Sequence, residues 1–128
     1  LLDGYIESRR QAADYYDKGF SGNPKITTPY RAPYCKHVFH QYTLVLEDVD
    51  RNGLADYLAK QQIPSMIYYP VPAHRQQMFA AFGGSKFNLP VTDWLTERVI
   101  SLPMHTELDH EQQDFIINHV LKYVNGNK

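Results

Sequence analysis

The sequence has a single cysteine, Cys35, among its 128 residues. That excludes an internal disulfide and a thiolate metal cluster, and it agrees with a reducing compartment. Long apolar runs are also missing. Nowhere does the chain offer the roughly 20 consecutive apolar residues of a membrane-spanning helix, and its first residues have neither the basic start nor the continuous apolar segment of a secretory signal. Charge of one sign is lacking too: 13 Lys and Arg face 14 Asp and Glu, a formal net charge of -1. No block of like charge forms a polybasic tail or acidic arm, so nucleic acid is not an expected partner. These absences describe a soluble, cytoplasmic chain with no membrane partner. No internal repeat or low-complexity segment divides it, and a single domain of this length buries roughly two-thirds of the surface its unfolded chain exposes.

What the sequence has instead is tyrosine, ten of them beside six phenylalanines and one tryptophan. A phenol joins a flat apolar face to a polar tip, which suits stacking on a polar ring such as a sugar; it equally suits half-buried positions in strands and helices.

Helical spacing of Leu2, Tyr5, Ile6, Ala12, Ala13 and Tyr16 predicts a first helix fading at Lys18 and Gly19. It opens without methionine and without a capping residue, as a helix entered partway. The expectation is that residues 1–128 are the end of a longer protein, with 1–18 the end of an inter-domain helix. HVFHQYTLVLE (His37–Glu47), SMIYY (Ser65–Tyr69) and RVISLP (Arg98–Pro103) read as strands. Asp50 caps a helix carrying Leu54, Tyr57 and Leu58 and limited by Pro64. RQQMFAAF makes a short helix closed by Gly83 and Gly84, and Thr92 caps another through DWLTER. Asp109 with Gln112 forms a capping box ahead of Phe115, Ile116, Val120, Tyr123 and Val124. The sum is an α+β fold: a small, mostly antiparallel sheet of about three strands covered by helices on one side.

Three stretches carry candidate chemistry. HVFH (His37–His40) has metal-site spacing, but residues three apart on a strand point to opposite faces, so the two imidazoles do not converge on one ion without a bulge. GGSK (Gly83–Lys86) lacks the Walker pattern, and a lysine in a glycine-marked turn lacks the burial or cationic neighbour that would make it a nucleophile. No metal ligand, Ser-His-Asp set or reactive cysteine stands out. IYYPVPAH (Ile67–His74) is the most specific stretch. Strand alternation sends Tyr68 and Tyr69 to opposite faces, Pro70 and Pro72 fix an extended backbone, and His74 stands at a helix start. From the residues alone it is either a binding site or a plain strand-to-helix connector.

RRxxAxxY (Arg9–Tyr16), HxFHxY (His37–Tyr42), RxxLxxxL (Arg51–Leu58), IPxxxxYPxPxH (Ile63–His74), LPVT (Leu89–Thr92) and SLPMH (Ser101–His105) occur together and in order. Their combination, over nearly the whole chain, resembles the C-terminal end of the DegT/DnrJ/EryC1/StrS sugar aminotransferases. The resemblance implies a fold type I, pyridoxal-phosphate-dependent enzyme that moves an amino group, usually from glutamate, to a keto sugar attached to a nucleotide. It implies a homodimer with active sites near the subunit interface. In such enzymes the Schiff-base lysine, the carboxylate facing the pyridine nitrogen and most phosphate contacts lie in a large domain upstream. Residues 1–128 would therefore be the small domain, inactive alone, with no cofactor bound and no catalytic residue of its own. At matching positions the resemblance assigns substrate binding to Tyr68, which stands where many relatives have histidine, and to Tyr69 and His74. It gives His37, His40, Tyr42 and His105 mostly structural parts. Two alternatives remain: a pyridoxal-phosphate sugar dehydratase or regulatory relative, in which histidine replaces the upstream lysine, and a free-standing carbohydrate-binding module.

Overall fold

In the computed structural model, which describes residues 1–126, the first helix runs further than glycine suggests. α1 spans Leu2–Phe20 and buries Ala12, Ala13, Tyr16 and Phe20, spaced to one stripe. Gly19 does not end it. A Cβ there would lie 2.6 Å from Ile117 Cδ1, so the glycine admits a close approach by the last helix. The chain turns instead at Gly22, whose φ of 79° is left-handed.

Three strands follow: β1 (Ile26–Thr27), β2 (Tyr42–Leu46) and β3 (Val99–Leu102). They form one antiparallel sheet in the order β1-β2-β3. This is the expected α+β class, but its strands differ from the expected ones. β1 lies in a stretch where the sequence carries no strand signal; it exists because Ile26 pairs with Leu46 and Thr27 with Val45. β2 begins five residues later than expected. Phe39 has φ 47°, its N–H donates to His37 Nδ1 at 2.9 Å, and its ring is buried while its neighbours His37, Val38 and His40 stay exposed, so residues 37–40 form a turn that inserts one ring into the core instead of extending the ladder. SMIYY contributes a single bridge, Met66 with Ser101, and no strand.

Local capping signals set the remaining helices. Asp50 accepts from Gly53 N–H at 3.0 Å and starts α2, Arg51–Lys60. Asp109 and Gln112 form the reciprocal capping box that opens α4, His110–Val124. α3 starts earlier than Thr92, at Pro90, and runs to Arg98. Proline at the first helical position is already set for the helix, and Thr92 lies inside, its carbonyl accepting from Thr96 Oγ1. RQQMFAAF does not form an α-helix. Residues Ala73–Arg75, Gln77–Phe82 and Gly84–Lys86 are 3-10 turns; apart from the His74 ring the first two contain no buried residue, and without a buried stripe so short a segment has little to hold it helical. Gly83, with φ 76°, closes the middle turn as expected.

Tyr42, Leu44 and Leu46 alternate into the core from β2, where they meet Tyr16, Phe20, Leu54, Leu58 and Val120 of α1, α2 and α4. Thr43 and Val45 therefore face the other side. Their partners Ser101 and Val99 share that face, since residues opposite each other in an antiparallel pair project together. The Thr43 and Ser101 hydroxyls meet there at 2.8 Å. No described helix is long and apolar enough to cross a membrane.

Candidate functional site

The second face of the sheet carries the conspicuous aromatic residues. A cleft of about 420 Å³ opens between the connector after Met66 and helix α3, with Tyr68, Tyr69 and Pro72 on one wall and Thr92, Leu95 and Val99 on the other. Tyr69 is 70% exposed and Tyr68 39%. Their rings meet edge to face, 5.9 Å between centroids and 75° between planes. The expected alternation of the pair to opposite faces is thus not observed: beyond the Met66 bridge no ladder imposes it, and both phenols border one cleft. Tyr68 also borders a smaller hollow of about 200 Å³ beside His40, Ser101 and Met104. Pro70 and Pro72 stiffen the wall, and Gln76 Nε2 donates back to Val71 O at 3.3 Å.

His74 lies elsewhere. Its side chain is 7% exposed, with Nε2 3.4 Å from Asp93 Oδ1. It is not among the residues lining the tyrosine cleft; it borders a separate hollow of about 250 Å³ with Phe79, Phe82 and Phe87. The expected helix start becomes a single 3-10 turn, too short to supply the dipole of an α-helix, and the imidazole's charged neighbours are Asp93 and Arg75. The structure brings together Tyr68 and Tyr69 and leaves His74 outside their cleft.

The remaining candidates have local roles. His37 Nδ1 holds the turn at Phe39, and the two rings lie 4.2 Å apart with their planes tilted by 37°. His105 Nδ1 accepts from Glu107 N–H at 3.3 Å in the same way. Tyr42 is fully buried and donates to Asp17 Oδ1. Burial pushes its hydroxyl well above the usual tyrosine range, helped by Asp17, and burial does the same for Tyr16. Lys86 is exposed in its turn. Among the described residues, no three His, Cys, Asp or Glu side chains gather as a metal site.

Sequence reasoning missed the α3 wall and the pair Arg75 and Asp93. Among the described residues, no lysine, arginine or carboxylate lines the tyrosine cleft. Its chemistry is therefore stacking on two phenol faces and hydrogen bonding through their hydroxyls, with Thr92 and Thr96 opposite. It offers no nucleophile and no proton-transfer pair. A hollow of about 540 Å³ between α2 and the end of α4 is larger, but it lies beside Tyr57 and Tyr123, away from the proline-stiffened wall.

A sequence profile of the DegT/DnrJ/EryC1/StrS aminotransferase family matches residues 1–121. A UDP-N-acetyl-3-dehydro-alpha-D-glucosamine 3-aminotransferase of Acidithiobacillus ferrooxidans is 40% identical over 111 residues, covering 87% of this chain and 29% of its own length. A pleiotropic regulatory protein of Geobacillus stearothermophilus is 34% identical over 124 residues, 95% of this chain and 33% of its own. Among solved structures, S. venezuelae DesV in complex with a ketimine intermediate superposes with a TM-score of 0.87 at 29% identity, covering 95% of this chain and 32% of that one. The chain thus spans about a third of the length of the relatives it matches. With six motifs in family order, a family profile over 121 of its residues and the fold of solved aminotransferases, the chain belongs to the DegT/DnrJ/EryC1/StrS aminotransferase family.

Proposed function

We propose that residues 1–128 are the C-terminal small domain of a pyridoxal-phosphate-dependent aminotransferase that passes an amino group from an amino acid, glutamate being the expected donor, to a nucleotide-linked keto sugar. The observation that carries this reading is the cleft in which Tyr68 and Tyr69 present their rings opposite Thr92 and Thr96, on the sheet face left clear by α1, α2 and α4. A sugar nucleotide supplies what such a wall recognises: ring faces for stacking and hydroxyls for the phenols and threonines.

The cofactor, when bound, supplies the electron sink for the transfer. The cleft residues do not fit its anchorage, since none is a lysine or a carboxylate. On this reading the cofactor is held by the large domain that the resemblance places upstream, and this domain's part is to bind and orient the sugar and to keep water from it. On this reading the isolated domain transfers nothing, and the full-length protein works as a homodimer.

The regulatory relative supports a second reading, in which the same cleft serves a family member with another role. Incubating the full-length protein with glutamate and UDP- or dTDP-linked 3-keto or 4-keto sugars, and detecting amino sugar by mass spectrometry, separates the two. Formation of the amino sugar supports the transferase reading; its absence with every keto sugar, in protein that retains pyridoxal phosphate, contradicts it.

A further inference from the structure

His74 was expected at the sugar, yet its ring is almost wholly buried and turned to α3. Asp93, in the first turn of α3, receives two contacts from the connector: Arg75 Nη2 to Oδ2 at 2.6 Å and His74 Nε2 to Oδ1 at 3.4 Å. Arg75 Nε lies 3.4 Å from the same ring nitrogen, so the three side chains close on one another. From behind, the chain at Gly84 presses on the backbone of His74: a Cβ on Gly84 would come 2.8 Å from His74 O. Both walls of the tyrosine cleft attach to this cluster. Ala73 and Pro72 precede His74 on one wall, and Thr92 and Leu95 flank Asp93 on the other.

We infer that His74, Arg75 and Asp93 form a clasp that fixes the distance between the two walls, making His74 a positioning residue for Tyr68 and Tyr69. The short Arg75–Asp93 bond supplies the attraction, and the buried imidazole fills the space behind it. Apart from the His74 ring, turns Ala73–Arg75 and Gln77–Phe82 contain no buried residue, so little else holds the connector to α3. Opening the clasp would move the tyrosine wall and leave the helical layer intact.

The test uses the full-length protein carrying 3-fluorotyrosine at position 69, read by fluorine NMR without ligand. Asp93→Asn and Arg75→Gln are expected to shift or broaden the Tyr69 resonance, with the melting temperature lowered by no more than about 4 °C. Glu97→Gln, one turn further along α3 and largely exposed, should leave the resonance in place. Where Asp93→Asn fails to fold, the exposed Arg75→Gln decides. An unmoved resonance in the clasp variants overturns the proposal. A substrate-level readout rests on the sugar reading above: KM for the keto-sugar nucleotide should rise about tenfold in Asp93→Asn with kcat kept within about twofold. A moved resonance in a protein that makes no amino sugar leaves the clasp standing and removes the sugar reading alone.

Discussion

The Tyr42 hydroxyl donates a 2.6 Å hydrogen bond to Asp17 Oδ1, joining the first residue of β2 to α1. The other oxygen of the same carboxylate takes Arg31 Nη2 at 2.6 Å, and Arg31 also reaches Asp14 and lies 4.7 Å over the Phe39 ring. One carboxylate thus binds the sheet and the loop ahead of it to the first helix. Asp17→Asn is expected to lower unfolding stability by about 1–3 kcal/mol, because it weakens two charge-assisted bonds and leaves the buried phenol poorly paired. Urea denaturation of the two proteins measures it.

The same phenol gives the fold an alkaline weakness. Tyr16 and Tyr42 are held protonated by burial, so their folded values lie above the ordinary ~10. Below pH ~10 their contribution is complete; above it the unfolded chain binds fewer protons than the folded one, and stability falls as pH rises. Each tyrosine should steepen that fall by about 1.4 kcal/mol per pH unit. Comparing denaturation at pH ~9 and ~11, Tyr42→Phe should lose less stability than the wild type over the interval.

Gly19 lies against Ile117 where α1 crosses α4, leaving no room for a methyl group. Although alanine is the better helix former, Gly19→Ala should destabilise by about 1–3 kcal/mol through overpacking. A higher melting temperature in the variant would mean that the helices part there at no cost.

At the start of α4 the Asp109 side chain accepts from Gln112 N–H at 2.8 Å, and the Gln112 side chain returns the contact. Asp109→Ala should cost about 1 kcal/mol, the usual value of a lost N-cap. The effect is read as a lower denaturation midpoint with an unchanged denaturant slope.

What the sequence announced and what it hid divide along the range of the interactions. The caps at Asp50 and Asp109 were legible because partners three residues away settle them. β3 was legible because it is a compact apolar run after a helix. β1 was not: two residues become a strand only because Leu46 and Val45 lie alongside. SMIYY has strand composition, yet among the described residues only Ser101 offers its backbone a partner, and propensity yields to that. At the site, Tyr68 and Tyr69 stood out through their prolines, whereas Asp93 did not. It meets Arg75 across 18 positions, and nothing in the spacing of either residue signals the other.

The central claim, that Tyr68 and Tyr69 meet a nucleotide-linked sugar, is tested most directly by titration calorimetry of the full-length protein with UDP- and dTDP-linked sugars. Tyr69→Ala, which removes both ring and hydroxyl, should weaken binding about tenfold or more, and Tyr69→Phe, which keeps the ring, by less. Tyr68→Ala should behave like Tyr69→Ala. Wild-type affinity retained in both alanine variants, with the fold intact, would contradict the account.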